Sequence, residues 1–208
     1  LRSLPVPDPS ALRDLRWSGR ETRIPSIEGE ASVSPPVFFS LREAAAGQAD
    51  LFGFAPLENV VARGRDQAFP AKGMMVSDNF LSGLGVRPFI GRLLERGYDF
   101  AGAGTSVVLA HATWEKFFAA NPAVLGQTLT LNGASFTIVG VLPRGFKGVQ
   151  PGEPTEFYVP LASRSQFLYV AFDSRFHWFV RLMARLKPGG SDAQLKARLD
   201  VVFAREVG

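Results

Sequence analysis

The sequence predicts an α+β chain, with runs of strands and helices set between them. Three observations predict it. The segment QTLTLNGASFTIVGVL (127–142) holds two alternating runs joined by Asn132-Gly133, which suits a two-residue turn because both positions need positive φ. HWFVRLMARL (177–186) sets Trp178, Val180, Leu182, Ala184 and Leu186 on one face, the pattern of a half-buried strand. Between residues 49 and 76, three strand-like runs follow one another.

The remaining elements follow in order. LPVPDPS (4–10) carries three prolines and reads as an extended lead-in. ALRDLRW (11–17) alternates as a strand, and residues 18–36 are polar and turn-rich. Ser34-Pro35-Pro36 resembles a helix start, with a serine N-cap and proline in the first turn. That helix is expected from Val37 to about Gly47, with Phe38, Leu41 and Ala45 on one face. ADLFGFAPL (49–57) and NVVARG (59–64) read as two strands around a turn, and AFPAKGMMV (68–76) as a third. Ser77 is expected to cap a short helix from Asp78 to Gly83, which Gly83 or Gly85 ends. SVVLA (106–110) is a buried-type strand. The helix ATWEKFFAA (112–120) follows, with Trp114, Phe117 and Phe118 inward, and Asn121-Pro122 stops it. Residues 141–154 read as loop and 155–161 as a strand, while 162–176 fit no element. After strand 177–186 the KPGG turn leads to a capping box, Ser191-Asp192-Ala193-Gln194. The last helix runs to about Glu206, with Leu195, Leu199, Val202 and Phe203 at helical spacing.

Composition narrows the function. Of 208 residues, 46% are hydrophobic and 20% charged, a balance that can bury a core. The net charge of +4 is spread over scattered arginines with no basic run, so no nucleic-acid partner is expected. The absence of cysteine removes disulfides, thiolate metal sites and cysteine nucleophiles. No apolar stretch approaches the roughly 18 residues of a membrane-spanning helix. The chain begins at Leu1 with no signal-like apolar stretch and ends at Gly208 straight after a helical segment, and so reads as a piece of something larger.

Few residues carry chemistry. Gly83, Gly85 and Gly91 invite a phosphate-loop reading. Yet Gly83-Leu84-Gly85-Val86-Arg87-Pro88 lacks the third glycine of a dinucleotide loop, and Pro88 forbids the helix that should follow. His111 and His177 form no pair with metal-ligand spacing. No Gly-x-Ser-x-Gly elbow supplies a serine nucleophile. Glu95 and Asp99, beside Arg92 and Arg96, read as a solvated face. No catalytic, metal or cofactor-binding residue is therefore assigned. Substrate-contacting residues are unknown, and the region 141–176, with Phe146, Phe167 and Tyr169, offers the aromatics most worth testing as a docking site.

Three segments in order carry a resemblance: MVSDNFLSGLGVRPFIGRLL (75–94), SVVLAHATWEKFFAANPAVLGQTLTLNGASFTIVGVLPRGF (106–146) and FVRLMARLKPGGSDAQLKARLDVVF (179–203). Together they resemble the MacB-type periplasmic core domain of ABC transporter permeases, of the MacB/FtsX-like superfamily. The lead-in 4–17 resembles the segment after the first membrane helix of such permeases. Ala110-His111 departs from the family, which more often has serine and an aromatic there. The resemblance implies that Leu84-Gly85-Val86-Arg87-Pro88 is a structural turn. It implies a Porter-like α/β subdomain from both chain ends (1–63 and 176–208) with an inserted Sabre-like mixed subdomain (64–175). It also implies a non-catalytic, cofactor-free domain on the periplasmic side of the inner membrane, in a parent that is integral to the membrane. The implied partners are a second permease domain or subunit, a cytoplasmic ATPase reached through the parent's membrane helices, and a periplasmic or outer-membrane partner. The isolated domain is expected to be a monomer. Two other readings compete: a free-standing periplasmic peptide- or lipid-binding module, and a hydrolase using His111 or His177.

Overall fold

A computed structural model describes residues 4–17, 32–64, 67–94, 105–150, 152, 154–167 and 175–207. Its strands are β1 (Leu12–Leu15), β2 (Ser32–Val33), β3 (Ala49–Arg63), β4 (Ala68–Val76), β5 (Ile90–Gly91), β6 (Ser106–Leu109), β7 (Thr128–Leu131), β8 (Ala134–Val141), β9 (Phe157–Pro160) and β10 (Val180–Leu186). Its helices are α1 (Pro35–Ala45), α2 (Phe80–Gly83), α3 (His111–Phe118), α4 (Arg164–Phe167) and α5 (Asp192–Val207). Mixed helix and strand is the α+β class that the sequence predicts.

All ten strands join one sheet in the order β1-β10-β3-β4-β9-β6-β8-β5, with β2 on β10 and β7 between β3 and β8. The β7 link closes a ring, because Ala62 and Arg63 of β3 pair with Leu131 and Thr130 of β7. The ring runs β3-β4-β9-β6-β8-β7 and back to β3, with β4–β9 and β6–β8 parallel. Closure leaves these six strands fewer open edges. Outside the ring, the first half of β3 carries β10, and β10 carries β1.

The alternation of strand side chains puts a core on each face. Leu51, Ala55, Met75, Val180, Leu182 and Ala184 join one cluster with Phe38 and Leu41 of α1 and Leu195 of α5. Phe52, Phe54, Met74, Val76 and Met183 join the other with Phe80 and Leu81 of α2.

Local chemistry moves several boundaries. Residues 68–76 and the Asn132-Gly133 hairpin fall where expected, with φ of 48° at Asn132 and 90° at Gly133. The expected turn between 57 and 59 is instead a bulge in one continuous strand. Asn59 takes φ 55°, and the pairing steps from Leu57↔Gly73 to Val60↔Ala71 with one extra residue on β3. Helix α1 starts at Pro35, since prolines in the first turn lack only N–H groups that would be unpaired anyway. It ends at Ala45, short of Gly47, and the buried Ser34 hydroxyl does not cap it. A 3₁₀ turn, Pro9–Ala11, delays β1 to Leu12, and the strand ends at Leu15. Most of the expected loop 18–36 lies outside the described residues, but Ser32 and Val33 pair with β10.

Helix α3 stops at Phe118 because Ala119 turns left-handed at φ 50°. Trp114 is buried there, whereas Phe117 and Phe118 are half-buried. Strand β9 spans only Phe157–Pro160, since Leu161 opens a 3₁₀ turn that leads into α4. Strand β10 begins at Val180, with Trp178 half-buried before it. The capping box is half made. The Gln194 N–H donates to Ser191 Oγ (3.2 Å), while the Ser191 N–H donates to Gln48 Oε1 (3.3 Å).

Candidate functional surfaces

The glycine-rich turn after α2 has already spent its donors. The N–H groups of Gly83, Leu84, Gly85 and Val86 donate to the carbonyls of Asn79, Phe80, Ser82 and Leu81. A phosphate cradle needs such groups free, so this turn cannot hold one. Gly85 adopts φ 76°, open to glycine at no steric cost. Gly83 is the last residue of α2 and packs against the Phe52 ring. Ser77 does not cap the helix, which begins at Phe80. Its hydroxyl accepts from the Gly53 N–H (3.0 Å) and donates to Asn79 Oδ1 (2.8 Å), tying the turn to β3.

His111 is the first residue of α3 and is buried. It stands edge-on to Phe89 and Trp114, at 5.0 and 5.2 Å between ring centroids. Its Nδ1 lies 3.4 Å from Glu115 Oε2 without a hydrogen bond, and Glu115 also pairs with Arg144. His177 is exposed just before β10. The two histidines therefore stand on different elements, far apart in the strand order. Among the described residues no group of three or more His, Asp or Glu side chains is placed to hold a metal ion. Arg92 donates to the Leu93 carbonyl (3.3 Å), and Glu95, Arg96 and Asp99 lie outside the described residues.

Of the aromatics in 141–176, Phe146 is buried in the α2-side core. Phe167 is half-buried and stacked on Phe136 at 5.8 Å. Tyr169 lies outside the described residues. Among the described residues the exposed aromatics are Phe176, the last residue of this region, at 69% of full exposure, and Phe89, outside it, at 55%. Buried Tyr158 sits below Phe146, and desolvation pushes its phenol up from the ordinary range.

Two grooves stand out on the surface. One, of about 480 Å³, runs between β1 and α5 over Leu15, Trp17, Leu199 and Phe203. Trp17, Trp178 and Phe203 cluster beside it, with centroids 5.3 to 6.1 Å apart. Its rim charges neutralise one another. Arg13 forks onto Asp192 (2.6 and 3.1 Å), holding that carboxyl below its usual range, and Lys196 meets Asp200 (2.5 Å). The other groove, of about 1000 Å³, lies between the lead-in, the Gly85 turn and the loop after β8.

The family described as MacB-like periplasmic core domain matches residues 13–202. The chain belongs to this family. Membership makes it the periplasmic core domain of a MacB-like ABC transporter permease, on the extracytoplasmic side of the membrane. Solved structures of such domains share the fold. The periplasmic region of MacB from Actinobacillus actinomycetemcomitans aligns with a TM-score of 0.67 at 14% identity, over 92% of this chain and 82% of that one. A permease-protein domain from Porphyromonas gingivalis gives 0.62 at 19% identity, over 85% and 72%. The extracellular domain of the noncanonic ABC-type transporter YknZ from Gram-positive bacteria gives 0.60 at 16%, over 90% and 86%. A search of curated proteins finds no match. No helix among the described residues is long and apolar enough to cross a membrane.

Proposed function

We propose that this MacB-like core domain is non-catalytic and couples ATP-driven motion of membrane helices to export or envelope-related substrate handling. One observation carries the reading. The first strand and the last helix meet, with Arg13 of β1 forked onto Asp192 of α5 at 2.6 and 3.1 Å. β1 pairs with β10, which continues into β3 and thence into the ring, and α5 packs on α1, which itself lies on β3 and β10. A displacement applied to either end of the chain is thus handed to the same strand and carried across the sheet. In this reading residues 1–63 and 176–208 form the part that receives the motion, and 64–175 the part that it moves. The surroundings of His111, two aromatic rings and one carboxylate, support a structural histidine. The partners of the reading are a second permease domain, a cytoplasmic ATPase and a periplasmic or outer-membrane protein.

Hydrogen exchange on the parent permease with its ATPase tests the coupling. We expect amide protection in β1 and α5 to change between ATP-bound and ADP-bound states. Equal protection in both states would refute coupling through this domain.

A further inference from the structure

The buried half of the Gly85 turn explains itself, since Leu84 and Val86 fill the α2-side core. Its exposed half does not. Arg87 points to solvent and has no ion pair or hydrogen bond among the described residues. Phe89 is 55% exposed although its inner edge rests on His111 and Trp114, at 5.0 and 5.7 Å. Both line the groove of about 1000 Å³, opposite Pro143 and Phe146, and no residue lining it is acidic. Lys147, next along the loop, is exposed and also without an ion pair among the described residues.

The groove is built before anything binds. Arg185 lies behind it and donates to the carbonyls of Gly83 (2.7 Å), Asp8 (2.9 Å) and Pro7 (3.0 Å). One guanidinium therefore fixes the proline lead-in against the turn. The Pro7 ring stands 3.2 Å from where a Cβ on Gly85 would be, so the two walls touch. Such a groove loses little entropy on binding. Proline walls offer apolar area without N–H donors, so polar recognition falls to Arg87. Aromatic and arginine side chains with accessible faces are the types that dominate interface energetics.

We infer that this groove docks an extended, acidic segment of a partner protein, its apolar side chains on Phe89 and Pro143 and a carboxylate on Arg87. Charge complementarity selects the acid, because Arg87 lines a groove with no acid in its wall and Lys147 stands exposed next along the loop. Concavity selects a chain over a bilayer, because a flat lipid surface cannot fill the trough between the Pro7 and Pro143 walls. The inference deepens the proposed function by giving its periplasmic partner a docking site. It is tested on the chain alone, so its failure leaves the coupling reading untouched.

The test pans a display library of random peptides, about twelve residues long, on the 208-residue chain. Enriched peptides are then titrated against the parent, Arg87→Glu and Phe89→Ala, and phosphatidylglycerol vesicles are tested for co-sedimentation. We expect enriched peptides to place Asp or Glu beside Leu, Phe or Pro. We expect binding to weaken about tenfold or more in either variant and in high salt, with the melting temperature unchanged in Arg87→Glu, whose side chain is exposed, and lowered only modestly in Phe89→Ala, which gives up its edge contacts with His111 and Trp114. Three results would overturn the inference: no enrichment of acidic peptides, enriched peptides that bind both variants as well as the parent, or vesicles that capture the chain through Arg87 and Phe89 where peptides do not.

Discussion

Gly83→Ala is the most direct check on how the glycine-rich turn is built. A Cβ there would sit 2.6 and 2.7 Å from Phe52 Cδ1 and Cε1, closer than real contacts allow. Phe52 cannot yield, since it is fully buried and held edge-on to Phe80 at 5.6 Å. Overpacking of this kind costs about 1–3 kcal/mol. At this last position of a short helix alanine returns only about half of the roughly 1 kcal/mol helix propensity of an interior site, leaving a net loss of about 0.5–2.5 kcal/mol. For a chain of this size that lowers Tm by roughly 1–10 °C. Urea unfolding and calorimetry read it, with the m-value unchanged. Phe52→Leu opens the space, so in that background Gly83→Ala should cost at least about 1 kcal/mol less. A neutral Gly83→Ala, or the same cost in both backgrounds, would show that the turn does not rest on this contact.

Two further predictions follow from single positions. Gly133→Val should destabilise the domain by roughly 1 kcal/mol or more through its positive φ, read as a lower Tm; an unchanged Tm would refute the turn geometry. Tyr158→Phe should flatten the alkaline limb of the stability curve. Burial raises the folded pKa of Tyr158, so its contribution is complete below the ordinary value of 10.0 and lost as pH rises beyond it. Chemical denaturation from neutral to alkaline pH checks this, and parallel curves for variant and parent would count against a buried neutral phenol.

What was legible in the sequence was local. The Asn132-Gly133 turn specifies its own hairpin, because two positive φ values at adjacent positions suit almost no other dipeptide. The last helix declares itself by spacing, as Leu195 and Leu199 lie one turn apart and face the core. What was missed depended on partners distant in sequence. Glu58 reads as a turn between two strands until β4 is placed alongside and holds both halves in one ladder. Ser77 reads as a helix cap until the Gly53 N–H arrives to claim its hydroxyl. Gln194 looks like the second half of a capping box, but Gln48 reaches Ser191 first.

The functional surfaces follow the same rule. The glycines drew attention by composition, yet hydrogen bonds within the turn consume the groups that would have made them a site. The 1000 Å³ groove left little trace in the sequence, because Arg185 assembles it from segments about 100 and 178 positions away. Phe89 carried a weak signal. An aromatic directly after Pro88 in an extended exit has little local reason to be buried.

The pairing of β1 with β10 also dictates a timetable. Leu12 lies opposite Arg185, so the first strand has no hydrogen-bonding neighbour in this sheet until nearly all the chain has been made. The hairpin of β7 and β8 needs only adjacent residues and can form early, whereas β1 must wait through the synthesis of some 170 residues. Closing so long a loop is slow, and over that interval Leu12 and Leu15 remain available to unrelated chains. A chaperone that shields the newly emerged end would gain its purchase there, and release would be timed by the arrival of β10.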